Sequence, residues 1–311
     1  MSVETPFYYN TKQTAIAIGY ENQEFIADKV LPRVPTGNSQ KYSWRRYRLN
    51  EMFSIPDTTI GRTSDANEVE FGFDEFESST KDRGLQDPIP QSDIDNASGG
   101  NAPDPVNMGT EMLTELILLD RERRVANLVQ DPNIYPADQR LVLSSSSQFN
   151  DPSSDPINVI MTALDVPIMR PNVMVLNQEA YTKLAMNPKM VAAFNGTNGS
   201  SGVVPPDFMA KLFRLEEVLV GAARYNSNKR GQNAALTRLW GKHISLIRRQ
   251  NVQLPYTMTF GVTAQTGTRV GMQYDDPKIG LKGGKRIKVG EQVEEKICGP
   301  EFGFFIQNAI A

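Results

Sequence analysis

The chain has 311 residues, 39% of them hydrophobic and 22% charged, enough to bury one elaborate core or two modest ones. A formal net charge of −3 gives no general reason to expect a nucleic-acid binder, and a single cysteine, Cys298, excludes an intrachain disulfide and suits a reducing compartment. No apolar run is long enough to cross a bilayer and the first residues lack the regions of a signal peptide, so a soluble protein made in a cytoplasm, with no membrane partner, is expected.

Residues 1–40 carry Pro6, Pro32 and Pro35 and a short amphipathic patch from Ile16 to Val30. They can hardly build a core of their own and read as an arm lying on another surface. KYSWRRYRL (Lys41 to Leu49) and EVEFGFDEFE (Glu68 to Glu77) are strand-like by alternation and aromatic content, joined by a turn-rich tip containing Pro56, Asp57 and Gly61. The first is basic through Lys41, Arg45, Arg46 and Arg48; the second is acidic through Glu68, Glu70, Asp74, Glu75 and Glu77. Opposite charges across a hairpin stabilise it by about 0.2 to 1 kcal/mol per pair. Tyr42, Trp44 and Tyr47 among those cations would suit stacking on bases, but the matching acidic strand makes that the weaker reading. A lone two-stranded hairpin is marginal in water, so this one is expected to rest on something outside its own core. From Lys81 to Asn101 the Asp, Pro, Ser and Gly content predicts a linker.

Asp104 to Asp131 reads as one long helix, with Asp104 as cap, Pro105 in the first turn and Asp131 before Pro132 as the stop. It spans roughly 40 Å at ~1.5 Å per residue. Its apolar residues point almost every way through Met112 to Leu119, then charge does the same from Asp120 to Arg124. That predicts contacts on several sides rather than one dry stripe. After an irregular stretch, Asp155 and Pro156 open a short helix with Ile157, Ile160, Met161 and Leu164 at helical spacing.

Residues 171–255 alternate strands and helices: the buried strand PNVMVLN, a helix that breaks at Asn187 and Pro188, an exposed Gly/Ser loop, the helix DFMAKLFRL, and the strands EEVLVGAARYN and LWGKHISLIRR. The last segment is rich in β formers, with a basic hairpin turn at Gly280 to Arg286 and a final strand, EFGFFIQNAI, apolar enough to require burial. The chemistry is sparse. His243 is alone and reads as structural, Asp275 and Asp276 read as a turn, and no GxSxG, HExxH or GxGxxG occurs. No catalytic, cofactor-binding or metal-ligating residue is assigned, so the enzyme reading, a soluble α/β protein with a site near the Gly/Ser loop and Asp275, has no motif behind it.

The order of these parts resembles the major capsid (head) proteins of tailed bacteriophages with the Hong Kong 97 type of fold, particularly those of Mu-like transposable phages. The words that carry it are ELILLDRERRVANLVQDPNIYP, SSQFNDPSSDPI, PNVMVLNQEAYTKL, LFRLEEVLVGAARYN followed by LWG, and TFGVTA; they cover most of residues 80–311. The resemblance implies an α+β fold with an N-terminal arm (1–40), an extended loop (41–92), a peripheral domain with a spine helix (93–170), an axial domain (171–255) and return strands (256–311). It implies a non-catalytic subunit, without cofactors, forming pentamers and hexamers of an icosahedral shell around double-stranded DNA in the virion, assembled in the bacterial cytoplasm. A separate scaffold protein, a portal at one vertex, non-specific contact with packaged DNA and room for a decoration protein follow as expected partners. Arg45, Arg46 and Arg48, paired with Glu68, Glu70 and Asp74 or with those of another copy, and Arg121, Arg123 and Arg124 on the spine are the expected contacts between subunits. The extended loop would lie across an adjacent copy. Nothing singles out a Lys–Asn pair around Lys41 or Lys81, so no covalent welding is expected.

Overall fold

The computed structural model describes residues 11–19, 22, 24–48, 51, 53–70, 72–98, 103–196, 202–229, 231–250 and 258–311. In chain order come α1 (Thr11–Gly19), α2 (Ala27–Val30), β1 (Arg33–Pro35), β2 (Lys41–Tyr47), β3 (Phe73–Ser79), β4 (Lys81–Pro90), α3 (Gln91–Ser98) and the long α4 (Pro105–Val129). Then follow β5 (Arg140–Val142), α5 (Pro156–Asp165), β6 (Val173–Asn177), α6 (Gln178–Ala185), α7 (Pro188–Asn195), α8 (Pro206–Phe213) and β7 (Glu217–Gly221). The chain closes through β8 (Arg224–Asn226), β9 (Leu236–Arg238), β10 (Ile244–Ile247), β11 (Gly261–Asp276), β12 (Gly284–Ile297) and β13 (Gly303–Gln307).

Helix α4 starts as its sequence dictates: the Asp104 carboxylate accepts from the Val106 amide at 3.0 Å and Pro105 fills the first turn. Within the single chain a dry stripe is present after all, contrary to expectation. Val106, Gly109, Thr110, Leu113, Thr114, Ile117, Leu118, Arg121, Glu122, Val125, Ala126 and Val129 are buried, at spacings of one, three and four that make one continuous stripe. Polar residues within the stripe hid it. Thr110 and Thr114 satisfy their hydroxyls on the carbonyls of Val106 and Thr110, at 2.8 and 2.7 Å. At Gly109 a Cβ would press on Ile287 and Ile89 at 3.2 and 3.3 Å, so glycine lets the helix lie close to the sheet beneath it.

That stripe serves two sheets. The five-stranded sheet, in order β5-β13-β10-β6-β7, is mixed: β6 and β7 run parallel, as do β13 and β5, while β10 is antiparallel to both its neighbours. Alternate residues face opposite cores. Met174, Leu176, Leu246, Phe304 and Ile306 meet Ile160, Leu164, Leu184, Met209 and Phe213 of the helices. Val173, Val175, Ile247 and Phe305 meet Val125, Ala126 and Val129 of α4. The final apolar strand is thus buried inside a sheet, as its composition required.

The four-stranded sheet, in order β1-β11-β12-β4, packs Ile89, Ile287 and Val289 against Val106, Leu113 and Ile117 near the start of α4. Here the linker expected over Lys81–Asn101 is corrected. β4 pairs with β12 from Lys81 to Pro90 and α3 follows, residues 99–102 lying outside the described set. Pro88 and Pro90 read as breakers but are tolerable on an edge strand, whose outer side needs no amide donor.

From Thr11 onward the arm can be placed, residues 1–10 lying outside the described set. It lies on its own chain: α1 seats Ala17 in the core beside Leu113, and β1 pairs in parallel with β11 from Arg33↔Thr263 to Pro35↔Gln265. A Cβ at Gly271 would stand 2.6 Å from the Gln13 backbone, so glycine at this point makes room for the helix.

Candidate assembly interface

The basic and acidic strands do form a hairpin, in the register Arg45↔Glu75 and Arg46↔Asp74. Its base rests on the body of the chain, which gives the two strands the support a lone hairpin lacks. Tyr42 and Trp44 are buried with Val34, Val262, Ala264 and Cys298, and Trp44 stacks on Phe76 at 5.6 Å. Burial pushes the Tyr42 hydroxyl up to about 12. Arg46 does not pair with its cross-strand Asp74; it makes a two-pronged bond to the buried Glu301, at 3.0 and 2.5 Å. Arg48 takes Asp74 at 3.2 Å, and Arg45 faces Glu75 at 3.9 Å with its guanidinium 4.2 Å over the Phe73 ring.

Beyond the paired strands, residues 53–70 are exposed throughout. Glu68 and Glu70, expected to answer the arginines, stand on this tip, and no ion pair joins them to a described residue. Phe53 (60% exposed), Ile55 (97%), Ile60 (56%) and Val69 (49%) stand with them. Apolar side chains this open on a projecting loop are what an interface leaves uncovered in a single chain. A matching surface lies on α4, where Met108, Met112 and Leu116, four residues apart, are 49%, 61% and 46% exposed.

The spine arginines divide. Arg121 is 1% exposed and ion-paired to Asp28, with further bonds to the Leu31 carbonyl and the Thr263 hydroxyl at 3.3 and 3.0 Å. Arg124 takes Glu295 at 2.8 Å and also Asp120. Both are engaged within the chain, because the arm and β12 bring carboxylates to them. Arg123 alone of the three projects outward, its guanidinium 5.5 Å over the Tyr225 ring.

Two carboxylates that the sequence did not single out complete this junction. Glu291 accepts Arg33 at 2.8 Å and faces Arg269 at 3.5 Å. Glu122, fully buried, accepts from Trp240 Nε1 (2.7 Å), the Ala27 amide (2.7 Å) and the Ile26 amide (3.1 Å), tying the arm and the Trp240 turn to α4. Burial pushes its carboxyl above the usual range despite those donors. Burial acts likewise on Asp28 and Glu295, but Arg121 and Arg33 at the first, and Arg124 at the second, hold them below it.

His243 Nδ1 accepts from the Asn308 amide at 3.0 Å, and burial lowers its pKa. The Gly/Ser loop falls partly outside the described set, at 197–201. Asp275 and Asp276 are the last two residues of β11, and Asp276 takes Arg286 of β12 at 2.8 Å. Among the described residues no group of three His, Cys, Asp or Glu could hold a metal, and no helix is long and apolar enough to cross a membrane.

No protein-family model matches the sequence. The chain is 47% identical, over 98% of both chains, to a protein of Pseudomonas phage JBD67 named "Major capsid protein". It is 28% identical to a protein of the same name from Burkholderia phage BcepMu, covering 95% of this chain and 94% of that one. Among solved structures, a phage-related protein of Bordetella bronchiseptica RB50 matches with a TM-score of 0.74 at 21% identity, covering 97% of this chain and 98% of that one. The capsid structure of cyanophage P-SCSP1u matches with a TM-score of 0.60 at 10% identity, covering 91% and 88%.

Proposed function

We propose, because this chain belongs to the bacteriophage major capsid proteins and has the Hong Kong 97-like α+β fold, that copies of it assemble into the icosahedral shell of a phage head. The observation that carries the reading is the 47% identity over 98% of both chains. The geometry supports it: an apolar tip and an apolar helix stripe are both left uncovered in the single chain.

In this reading the tip, with Phe53, Ile55 and Ile60, lies on Met108, Met112 and Leu116 of an adjacent copy, while Arg45, Arg48, Glu68 and Glu70 add polar contacts at its rim. The extended loop is then 41–79 rather than 41–92, β4 belonging to the peripheral sheet with the first half of α4, and 171–255 forming most of the axial part. Pentamers and hexamers, a scaffold protein, a portal, packaged DNA and assembly in the host cytoplasm complete the proposal. Repetition of one modest contact through a closed lattice multiplies its effect.

Electron microscopy of the purified chain, alone and with its scaffold protein, tests it. Closed shells are expected; a chain that stays monomeric at high concentration under both conditions would overturn the reading.

A further inference from the structure

The chain is acid-free from Val218 to Tyr274, a run of 57 residues that carries eight basic ones, although the whole chain has a net charge of −3. Four of the eight are bound within the fold: Arg249 to Glu217, Arg248 to the Arg170 carbonyl, Arg269 to Glu291, and Lys242 to the Ala311 carbonyl. Three others, Arg224, Lys229 and Arg238, stand on the β8–β9 hairpin; Arg230 lies outside the described set.

Arg224 and Arg238 are direct cross-strand partners. Like charges so placed work against the pairing, and an anion bound between them would relieve that repulsion. None comes from the chain: among the described residues no carboxylate lies within ion-pair distance of Arg224, Lys229 or Arg238. Strand alternation turns Tyr225 the other way, into the core under α4, where Arg123 sits over its ring. Around the cations are neutral amide side chains, Asn226, Asn228 and Gln232, and one exposed apolar residue, Leu236. Cations with neutral donors suit a phosphate backbone, whereas a peptide ligand wants several apolar anchors.

We infer that the β8–β9 hairpin is a contact for the phosphates of duplex DNA, and that this side of the subunit faces the lumen; the inference rests on the shell reading. Contact is sequence-independent and weak per copy. Three cations set the slope of log K against log salt at about −2.7, a weakening of about 40-fold from about 50 to about 200 mM NaCl.

Fluorescence anisotropy of a labelled duplex of about 30 base pairs with the full chain tests this, for the parent, Lys229→Gln and Arg224→Ser/Arg238→Ser, with circular dichroism to check folding. Slopes of about −2.7, −1.8 and −0.9 are expected, unchanged by duplex sequence. A parent slope shallower than about −1, or a slope that neither variant alters, overturns the proposal. So does preferential binding of polyglutamate, which would assign the hairpin to an acidic protein partner. Electron microscopy of the same samples separates the two readings: variants that form shells with an unaltered slope sink the DNA site alone, and a parent that never forms shells sinks the shell reading whatever its slope.

Discussion

Glu122→Ala removes the acceptor shared by Trp240 Nε1 and the amides of Ile26 and Ala27, all in the buried junction between arm, spine and axial core. Each buried donor left without a partner costs about 1 to 3 kcal/mol, offset in part because a desolvated carboxylate is removed as well. A net loss of about 3 kcal/mol is expected, a large share of a typical stability of about 5 to 15 kcal/mol. Glu122→Gln keeps one acceptor oxygen, enough for Trp240 and Ile26, but turns an amide donor toward the Ala27 N–H; about 1 to 2 kcal/mol is expected. Urea unfolding of unassembled chain, followed by tryptophan fluorescence and circular dichroism, measures both. Trp240→Phe supplies the control, since it removes one donor from the same carboxylate, and the double variant should be less than additive by about 1 kcal/mol. Full additivity, or a Glu122→Ala variant within about 1 kcal/mol of the parent, would refute the clamp.

The Gly271→Ala methyl would meet the Gln13 backbone at 2.6 Å, so it should lift α1 and expose residues 11–19 to limited proteolysis, at a cost of about 1 to 3 kcal/mol. Met112→Lys, at a site 61% exposed, should leave monomer stability within about 0.5 kcal/mol yet abolish shells by electron microscopy. Arg46→Glu should loosen the hairpin base within the single chain, because it sets two carboxylates against each other at the buried Glu301; protease cleavage between β2 and β3 would report it. Glu295 and Asp28 have lowered folded pKa values, so their stabilisation is present above the unfolded carboxylate range and lost as pH falls through the folded values; Glu295→Gln should flatten the acid limb of a stability–pH curve below about pH 4. Glu122, with a raised value, has the opposite sign: its contribution is full at low pH and lost as pH rises through the folded pKa, and Glu122→Gln should remove that loss.

What the sequence made legible was local. The Asp104–Pro105 start of α4, the break at Asn187 and Pro188, the buried β6 and the β11–β12 turn each follow from a few adjacent residues. The errors share one cause, partners distant in sequence. Arg121 and Asp28 are 93 positions apart, and Trp240 and Glu122 are 118, so nothing near the helix says that its charged middle is core. Counting Thr110, Thr114, Arg121 and Glu122 as apolar would have exposed the periodicity of the stripe. β4 was missed because prolines weigh heavily in a local reading, while an edge position, which tolerates them, is a property of the sheet. At the hairpin, alternation and charge gave the pairing of strands, but not the preference of Arg46 for Glu301.

A single helix that lends its first half to one core and its second half to the other leaves neither able to melt alone. Differential scanning calorimetry of the unassembled chain should therefore record one heat-absorption peak instead of two. For a growing lattice this is a form of proofreading: a subunit joins whole or not at all, and a half-denatured copy has no intact edge by which to be incorporated.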